Sequence, residues 1–190
     1  MRSVSHQIDR ASPWIARFAN LVPEGEVLDL ACGHGRHARL FAAAGHPVLA
    51  VDRDSEALAG VQGERIATLQ ADLEDGSPWP FAAARFSGIV VTNYLHRPLF
   101  RGILDSLCAG GVLLMETFAV GNGQFGKPSN PDFLLAPGEL LDMARTAGDR
   151  AMHVIAYEDG YVALPKPALV QRICLAKPPF AGETPRFALI

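Results

Sequence analysis

Charge is what this sequence has least of. Of its 190 residues, 19% are Asp, Glu, Lys or Arg, and the net charge is −3 at pH 7. A chain so nearly balanced lacks a general electrostatic grip on nucleic acid. Lysine is scarcest: Lys127, Lys166 and Lys177 are the only ones, and arginine supplies the rest of the 17 basic residues. With the abundant alanine, this reads as a GC-rich coding bias and carries no functional weight. Cysteine is also sparse. Cys32, Cys108 and Cys174 are an odd, scattered set that makes no disulfide framework, so a reducing cytoplasm is the expected compartment. No stretch approaches the roughly 20 apolar residues of a membrane span. The first ten residues lack the apolar core of a signal peptide. Eighteen Gly and 14 Pro are too few for a low-complexity chain.

What is there is apolar and ordered. Hydrophobic residues make up 49%, which suits one globular domain over residues 1–190. Residues 1–25 read as an amphipathic helical cap. Ser12 is placed to cap a helix that Pro13 begins, and Trp14, Ile15, Phe18, Leu21 and Val22 recur at helical spacing. Strands and helices then alternate through residues 26–177. Strands are expected at 26–31, 47–52, 65–70, 86–92, 111–118, 151–157 and 168–176. Helices are expected at 35–44, after Asp54, at 99–108 and at 137–147. Several strands are continuous apolar runs, as in a sheet covered on both faces. The alternation predicts a doubly wound α/β sheet. Residues 119–136, rich in Gly, Asn and Pro, form a loop long enough to suggest a function. Residues 178–190 read as a tail, frayed or docked by Phe180, Phe187 and Leu189.

The chemistry concentrates in Val27-Leu28-Asp29-Leu30-Ala31-Cys32-Gly33-His34-Gly35-Arg36-His37, where a strand enters a glycine-rich turn and a helix leaves it. Glycines let the backbone turn tightly and let a ligand approach, and the amides at a helix start favour negative charge. Asp52 ends the next strand, where a carboxylate can accept bonds from both hydroxyls of a ribose. Together these point to a nucleoside cofactor. Gly33-x-Gly35-x-x-Ala38 with Asp52 also fits a dinucleotide fingerprint. Against it, Asp29 would set a carboxylate near a pyrophosphate, a repulsion that a cationic amine would not meet. Ala71-Asp72-Leu73 offers a polar and an apolar group to an adenine. Asn93-Tyr94-Leu95-His96-Arg97 clusters at the expected switch point of the sheet.

Asp29-Leu30-Ala31-Cys32-Gly33-His34-Gly35, Val51-Asp52, Ala71-Asp72-Leu73 and Thr92-Asn93-Tyr94-Leu95 resemble, in order and spacing, the motifs of class I S-adenosylmethionine-dependent methyltransferases. With Gly45-His46-x-Val48, the run Cys32–His37 is most similar to the small tellurite-resistance-type branch. The resemblance spans roughly residues 26–118. Ala31 stands where the family turn usually begins with glycine.

The resemblance implies a Rossmann-like, seven-stranded, mostly parallel sheet with a final antiparallel strand and helices on both faces. It implies methyl transfer from S-adenosylmethionine to a small-molecule acceptor. In its terms Asp29 orients the turn and the methionyl amine, while Ala31, Gly33 and Gly35 line methionine and ribose. Asp52 holds the ribose and Arg53 flanks the adenine. Asp72 reaches the adenine amino group, Leu73 packs by the ring, and Asn93 closes the site near the sulfonium.

Arg36 is a candidate partner for the methionyl carboxylate. The catalytic candidates are Tyr94, His96 as a base, and Arg97 as an anion contact, with Glu116 a base or loop anchor. Trp14 and Phe18 are core or lid; Phe125, Lys127 and Asn130 are candidate acceptor contacts. Cys32, His34 and His37 match no standard ligand spacing, so no metal is expected. Neither nucleic acid nor membrane is an expected partner, and a monomer or homodimer is the expected state. The competing readings are a non-catalytic S-adenosylmethionine-binding module and an NAD(P)-dependent reductase.

Overall fold

The computed structural model describes residues 10–146 and 152–179. Expectations for 1–9, for the 178–190 tail beyond residue 179, including docking by Phe180, Phe187 and Leu189, and for the helix and strand ends at 147 and 151 lie outside the described residues.

The chain opens with helix α1 (Pro13–Phe18). The Ser12 hydroxyl accepts the Trp14 amide at 3.2 Å, and Pro13 fills the first turn, where its missing N–H costs nothing. Strand β1 (Val27–Leu30) follows, then α2 (Arg36–Ala43), β2 (Val48–Asp52), α3 (Ser55–Ala59), β3 (Ile66–Gln70) and β4 (Phe86–Thr92). Next come α4 (Phe100–Ser106), β5 (Leu107–Phe118), α5 (Glu139–Thr146), β6 (His153–Val162) and β7 (Ala168–Ala176). These strands form one seven-stranded sheet in the order β3-β2-β1-β4-β5-β7-β6. The pairs β1–β2, β1–β4, β2–β3 and β4–β5 are parallel. The final strand, β7, runs antiparallel to both β5 and β6.

Apolar runs make the middle of this sheet because its inner strands feed two cores by alternation. Leu28 and Leu30 of β1, Ile89 and Val91 of β4 and Leu113 of β5 pack with Ile103 and Leu104 of α4 and Leu140 of α5. On the opposite face Val27, Val90, Val112 and Leu114 pack with Trp14, Phe18, Phe41 and Leu58 from α1, α2 and α3. Trp14 and Phe18 are buried and meet edge to face at 4.7 Å, so they are core packing and not a lid.

Among the boundaries that differ from the sequence expectation, three bear on the fold. Helix α4 ends at Ser106, short of 108, and β5 begins at Leu107, ahead of 111. Gly110, which fell between the expected helix and strand, and Gly111, the first residue of the expected strand, both sit inside a strand whose register with β4 shifts between Phe86 and Gly88. A Cβ on Gly111 would lie 2.9 Å from the Cys108 carbonyl, so a bulge with close backbone approach needs glycine there. Lys177 closes the same corner, its ammonium donating to the carbonyls of Leu104 at 2.8 Å and Leu107 at 2.7 Å. Strand β6 continues to Val162, past 157, through the polar Glu158-Asp159-Gly160. It is the outer strand of the sheet and half of it faces water.

The 119–136 segment is pinned, not slack. Ala119 bridges Leu135, and Asn122 is buried, donating to the Pro128 carbonyl at 3.1 Å and accepting the Leu169 amide at 3.2 Å. Buried Gln171 of β7 accepts the Leu140 amide at 3.1 Å and donates to the Ala136 carbonyl at 2.6 Å. Among the described residues, no helix is long and apolar enough to cross a membrane.

Candidate active site

The parallel strands end at a common edge, and there a cavity of about 650 Å³ opens. That is within the range for small-ligand sites. Ala31 after β1, Asp52 and Arg53 at β2, and Asp72 and Leu73 after β3 line one side. Asn93, Tyr94 and Leu95 after β4 form the floor, and Thr117, Phe118, Lys127, Asn130 and Phe133 close the far side. Glu74, Thr117, Phe118, Ser129 and Phe133 line the cavity without having been singled out in the sequence. The one available signal was that each sits at or just past the end of a strand, or inside the long loop.

The turn after β1 is built by left-handed residues. Ala31 has φ +53°, Gly33 +53° and Gly35 +70°. Alanine in the place of the usual first glycine therefore takes the glycine conformation, at a cost of roughly 1–2 kcal/mol. Asn93 does the same at the end of β4, with φ +56°; asparagine visits this region more readily than most residues. Two strained residues thus face one cavity.

Asp52 presents both carboxylate oxygens along the turn. Oδ2 accepts the Gly33 amide at 2.7 Å and Oδ1 accepts the Asp54 amide at 3.0 Å. A carboxylate has about four acceptor sites, so two remain for a ligand. Asp72 spends one oxygen on the Glu74 amide at 2.9 Å and keeps the other on the cavity wall.

Asp29, Gly33, Gly35 and Arg36 do not line the cavity. Asp29 is 1% exposed, beneath the turn, and its Oδ2 accepts the Ala38 amide at 2.8 Å. It braces the start of α2, and its burial leaves no direct path to a ligand amine. Burial also pushes its carboxyl up to about 7, against the pull of the Ala38 hydrogen bond and of Arg36. The ordinary value is 3.8. Between these two values the unfolded chain has released a proton that the folded chain keeps. Stability therefore falls as pH rises from about 4 through about 7, then levels. Asp29→Asn removes this slope: melting temperatures between pH 4 and 8 are expected to vary less in the variant than in the wild type.

His96 and Arg97, two of the catalytic candidates, lie outside the cavity lining. His96 Nδ1 faces Glu74 at 3.8 Å. The Arg97 guanidinium donates to Glu139 at 3.0 Å and to the carbonyls of Asp132 at 2.7 Å and Leu134 at 3.0 Å. With its donors so engaged, it ties the long loop to α5 and is not available as an anion contact. Tyr94 does line the cavity, but burial, with Glu74 beside it, holds its phenol far above the ordinary value, so it is no base. Phe125 packs on Tyr161 at 5.4 Å, away from the wall.

A buried polar chain lies under the site. His37 is 1% exposed; its Nε2 accepts the Ser12 amide at 3.1 Å, which leaves the proton on Nδ1, 3.4 Å from the Thr92 hydroxyl. Burial, aided by Arg36, drops its pKa to about 3, so it is neutral. Ser12 Oγ donates to Glu116 at 3.1 Å, and Glu116 pairs with Arg172 at 2.6 Å. Glu116 is thus an anchor for α1 and not a base. Burial pushes the Cys32 thiol up to about 12, which makes it inert. Among the described residues no group of His, Cys, Asp and Glu is placed to hold a metal.

Residues 27–111 match the family model of a methyltransferase domain. The match covers less than half of the chain. Solved structures share its fold. TehB from Haemophilus influenzae superposes with a TM-score of 0.71 at 17% identity, over 88% of this chain and 63% of TehB. This chain thus spans less than two thirds of that protein. An S-adenosylmethionine-dependent methyltransferase from Methanosarcina mazei gives 0.66 at 16% identity, over 88% of this chain and 98% of that one. The 1,6-didemethyltoxoflavin-N1-methyltransferase of Burkholderia thailandensis, with bound 1,6-didemethyltoxoflavin and S-adenosylhomocysteine, gives 0.64 at 20%, over 93% and 81%. No curated protein matches. The sheet that holds this matched segment is Rossmann-like, seven-stranded and mostly parallel, with its final strand antiparallel.

Proposed function

We propose that the protein transfers the methyl group of S-adenosylmethionine to a small-molecule acceptor. The observation that carries this is the edge of acceptors along successive strands of the methyltransferase domain: Asp52 after β2 and Asp72 after β3, on one wall of the cavity that Ala31 and Asn93 also face. Asp52 has two acceptor positions for the ribose hydroxyls, and Arg53 flanks the adenine. Asp72 has one oxygen for the adenine amino group, and Leu73 packs by the ring. Asn93 stands near the sulfonium. Asp29, Gly33 and Gly35 act from beneath by shaping the turn, and Arg36 begins the helix behind it.

The cofactor supplies an activated methyl group; the chain aligns the acceptor and keeps water out. The likeness of Cys32–His37 to the tellurite-resistance-type branch, and of the fold to TehB, supports that branch for the cofactor side. A cavity of about 650 Å³ between strand ends and one loop suits a small acceptor better than a nucleic acid. The cytoplasm suits the free thiols of Cys32, Cys108 and Cys174.

A second reading is a module that binds the cofactor without turnover; a soft acceptor needs no base, so Tyr94, His96 and Glu116 do not decide between the two. Calorimetry with S-adenosylmethionine, followed by assay of S-adenosylhomocysteine formation with thiol, selenite, tellurite, phenol and amine acceptors, separates the two. Binding with turnover is the expected result. Binding without turnover on every acceptor would favour the module, and no binding would sink both.

A further inference from the structure

We infer that the acceptor is a flat, mainly apolar molecule bearing one negative group, its charge met by Lys127 and its body held by Phe118, Phe133 and Tyr94. The inference rests on the methyl-transfer reading and names the substrate class of the same site. The cavity is divided by charge. Its strand-edge side carries the carboxylates of Asp52, Asp72 and Glu74; Arg53 lies on that side too. Among the described residues lining the far side, Lys127 is the only charged one. Its ammonium makes no hydrogen bond or ion pair with a described residue, in contrast to Lys177, whose ammonium is spent on three backbone carbonyls. A cation left open on an otherwise neutral wall favours an anionic group.

The same wall is aromatic. Phe133 is 46% exposed although it is a large apolar side chain facing a cavity. It is not adrift. The Asn130 side chain accepts the Asp132 amide at 3.1 Å, and the Asn130 carbonyl accepts the Phe133 amide at 3.1 Å. Phe118 and Tyr94 stand half-buried on the same cavity. Three rings around one space suit a planar body, which they meet by stacking or edge contact. Because Arg97, Gln171 and Asn122 pin the loop that carries Lys127 and Phe133, the charge and the rings are held in place before any ligand arrives.

The test uses protein saturated with S-adenosylhomocysteine and three probes: 2-naphthoate, its neutral analogue 2-naphthamide, and acetate. Naphthoate fluorescence is expected to report binding about tenfold tighter than naphthamide. Acetate, with the charge but no rings, is expected not to compete at equal concentration. Lys127→Gln is expected to erase the naphthoate preference, and Phe133→Ala to weaken both aromatic probes severalfold. S-adenosylhomocysteine affinity in the same samples reports that each variant is folded. Equal binding of the two aromatic probes, a preference that survives Lys127→Gln, competition by acetate, or no aromatic binding would each overturn the inference. Should the wild type fail to bind S-adenosylhomocysteine, the methyl-transfer reading falls. The same titration on the bare protein then shows separately whether the wall prefers naphthoate.

Discussion

Asp52→Ala is expected to weaken S-adenosylmethionine binding about 100-fold or more. The carboxylate already accepts Gly33 and Asp54 amides and has two positions left on the cavity wall. A hydrogen bond to a charged group contributes about 1.5–3 kcal/mol, so two ribose hydroxyls account for about 3–6 kcal/mol. Each 1.4 kcal/mol is tenfold. Losing the bond that fixes Gly33 adds disorder in the turn. Asp52→Asn is the informative companion. One amide oxygen still accepts, but the amide nitrogen now meets a donor, so its affinity falls between wild type and alanine. Calorimetry on both variants, with a thermal melt to confirm folding, checks this. A loss below about fivefold in Asp52→Ala would remove Asp52 from the cofactor's partners.

Gly35→Ala is expected to cost about 3 kcal/mol of stability. Two effects add. The residue has φ +70°, which an L side chain resists by roughly 1–2 kcal/mol. A Cβ there would lie 2.6 Å from Val61 Cγ1 and 2.9 Å from Cγ2, and overpacking of this kind costs about 1–3 kcal/mol. Val61 is buried and cannot swing away. For a chain of this size the melting temperature should drop by about 6–12 °C. Gly33→Ala isolates the first effect, because its Cβ would meet nothing within 4 Å at φ +53°. Its drop should be about half as large, comparable to the strain Ala31 already bears. Adding Val61→Ala to Gly35→Ala should restore only the packing part. Equal drops in the two glycine variants would show that Val61 yields freely.

The parallel half of the sheet was legible because β1, β2 and β4 are apolar runs that divide between two cores, while β3, mostly exposed, follows the same alternation of strand and helix. What escaped were residues whose setting is decided far along the chain. Glu158 and Asp159 read as a loop, yet they extend β6 because that strand has water on its outer edge. Leu107–Gly110 fell outside the expected strand, yet β5 runs through them by a bulge at which Gly111 closely approaches the Cys108 carbonyl.

The site divides in the same way. The cofactor wall follows from the strand-end positions of Asp52 and Asp72, which local pattern reveals. Arg97 looked free for an anion because its partner Glu139 is 42 residues away. His37 had no assigned partner in the sequence; its partners are Ser12, 25 residues earlier, and Thr92, 55 later. Glu116 looked like a base until Ser12, 104 residues away, met it. Only tertiary contact decides which polar groups are already satisfied.

The strand order has a further consequence, for how the chain assembles. Strand β7 is the last described strand to be synthesised, yet it sits between β5 and β6, which are made before it. Until it arrives, β5 offers the unpaired edge of a twelve-residue strand whose Val112–Met115 stretch is wholly apolar. Such an edge is a template for pairing with another chain. The β6–β7 hairpin is local and quick to close, whereas its docking on β5 joins residues more than 50 positions apart. The nascent protein is therefore most exposed to aggregation in the interval before Ala168–Ala176 emerges. The insertion of this strand acts as the closing step that ends that risk.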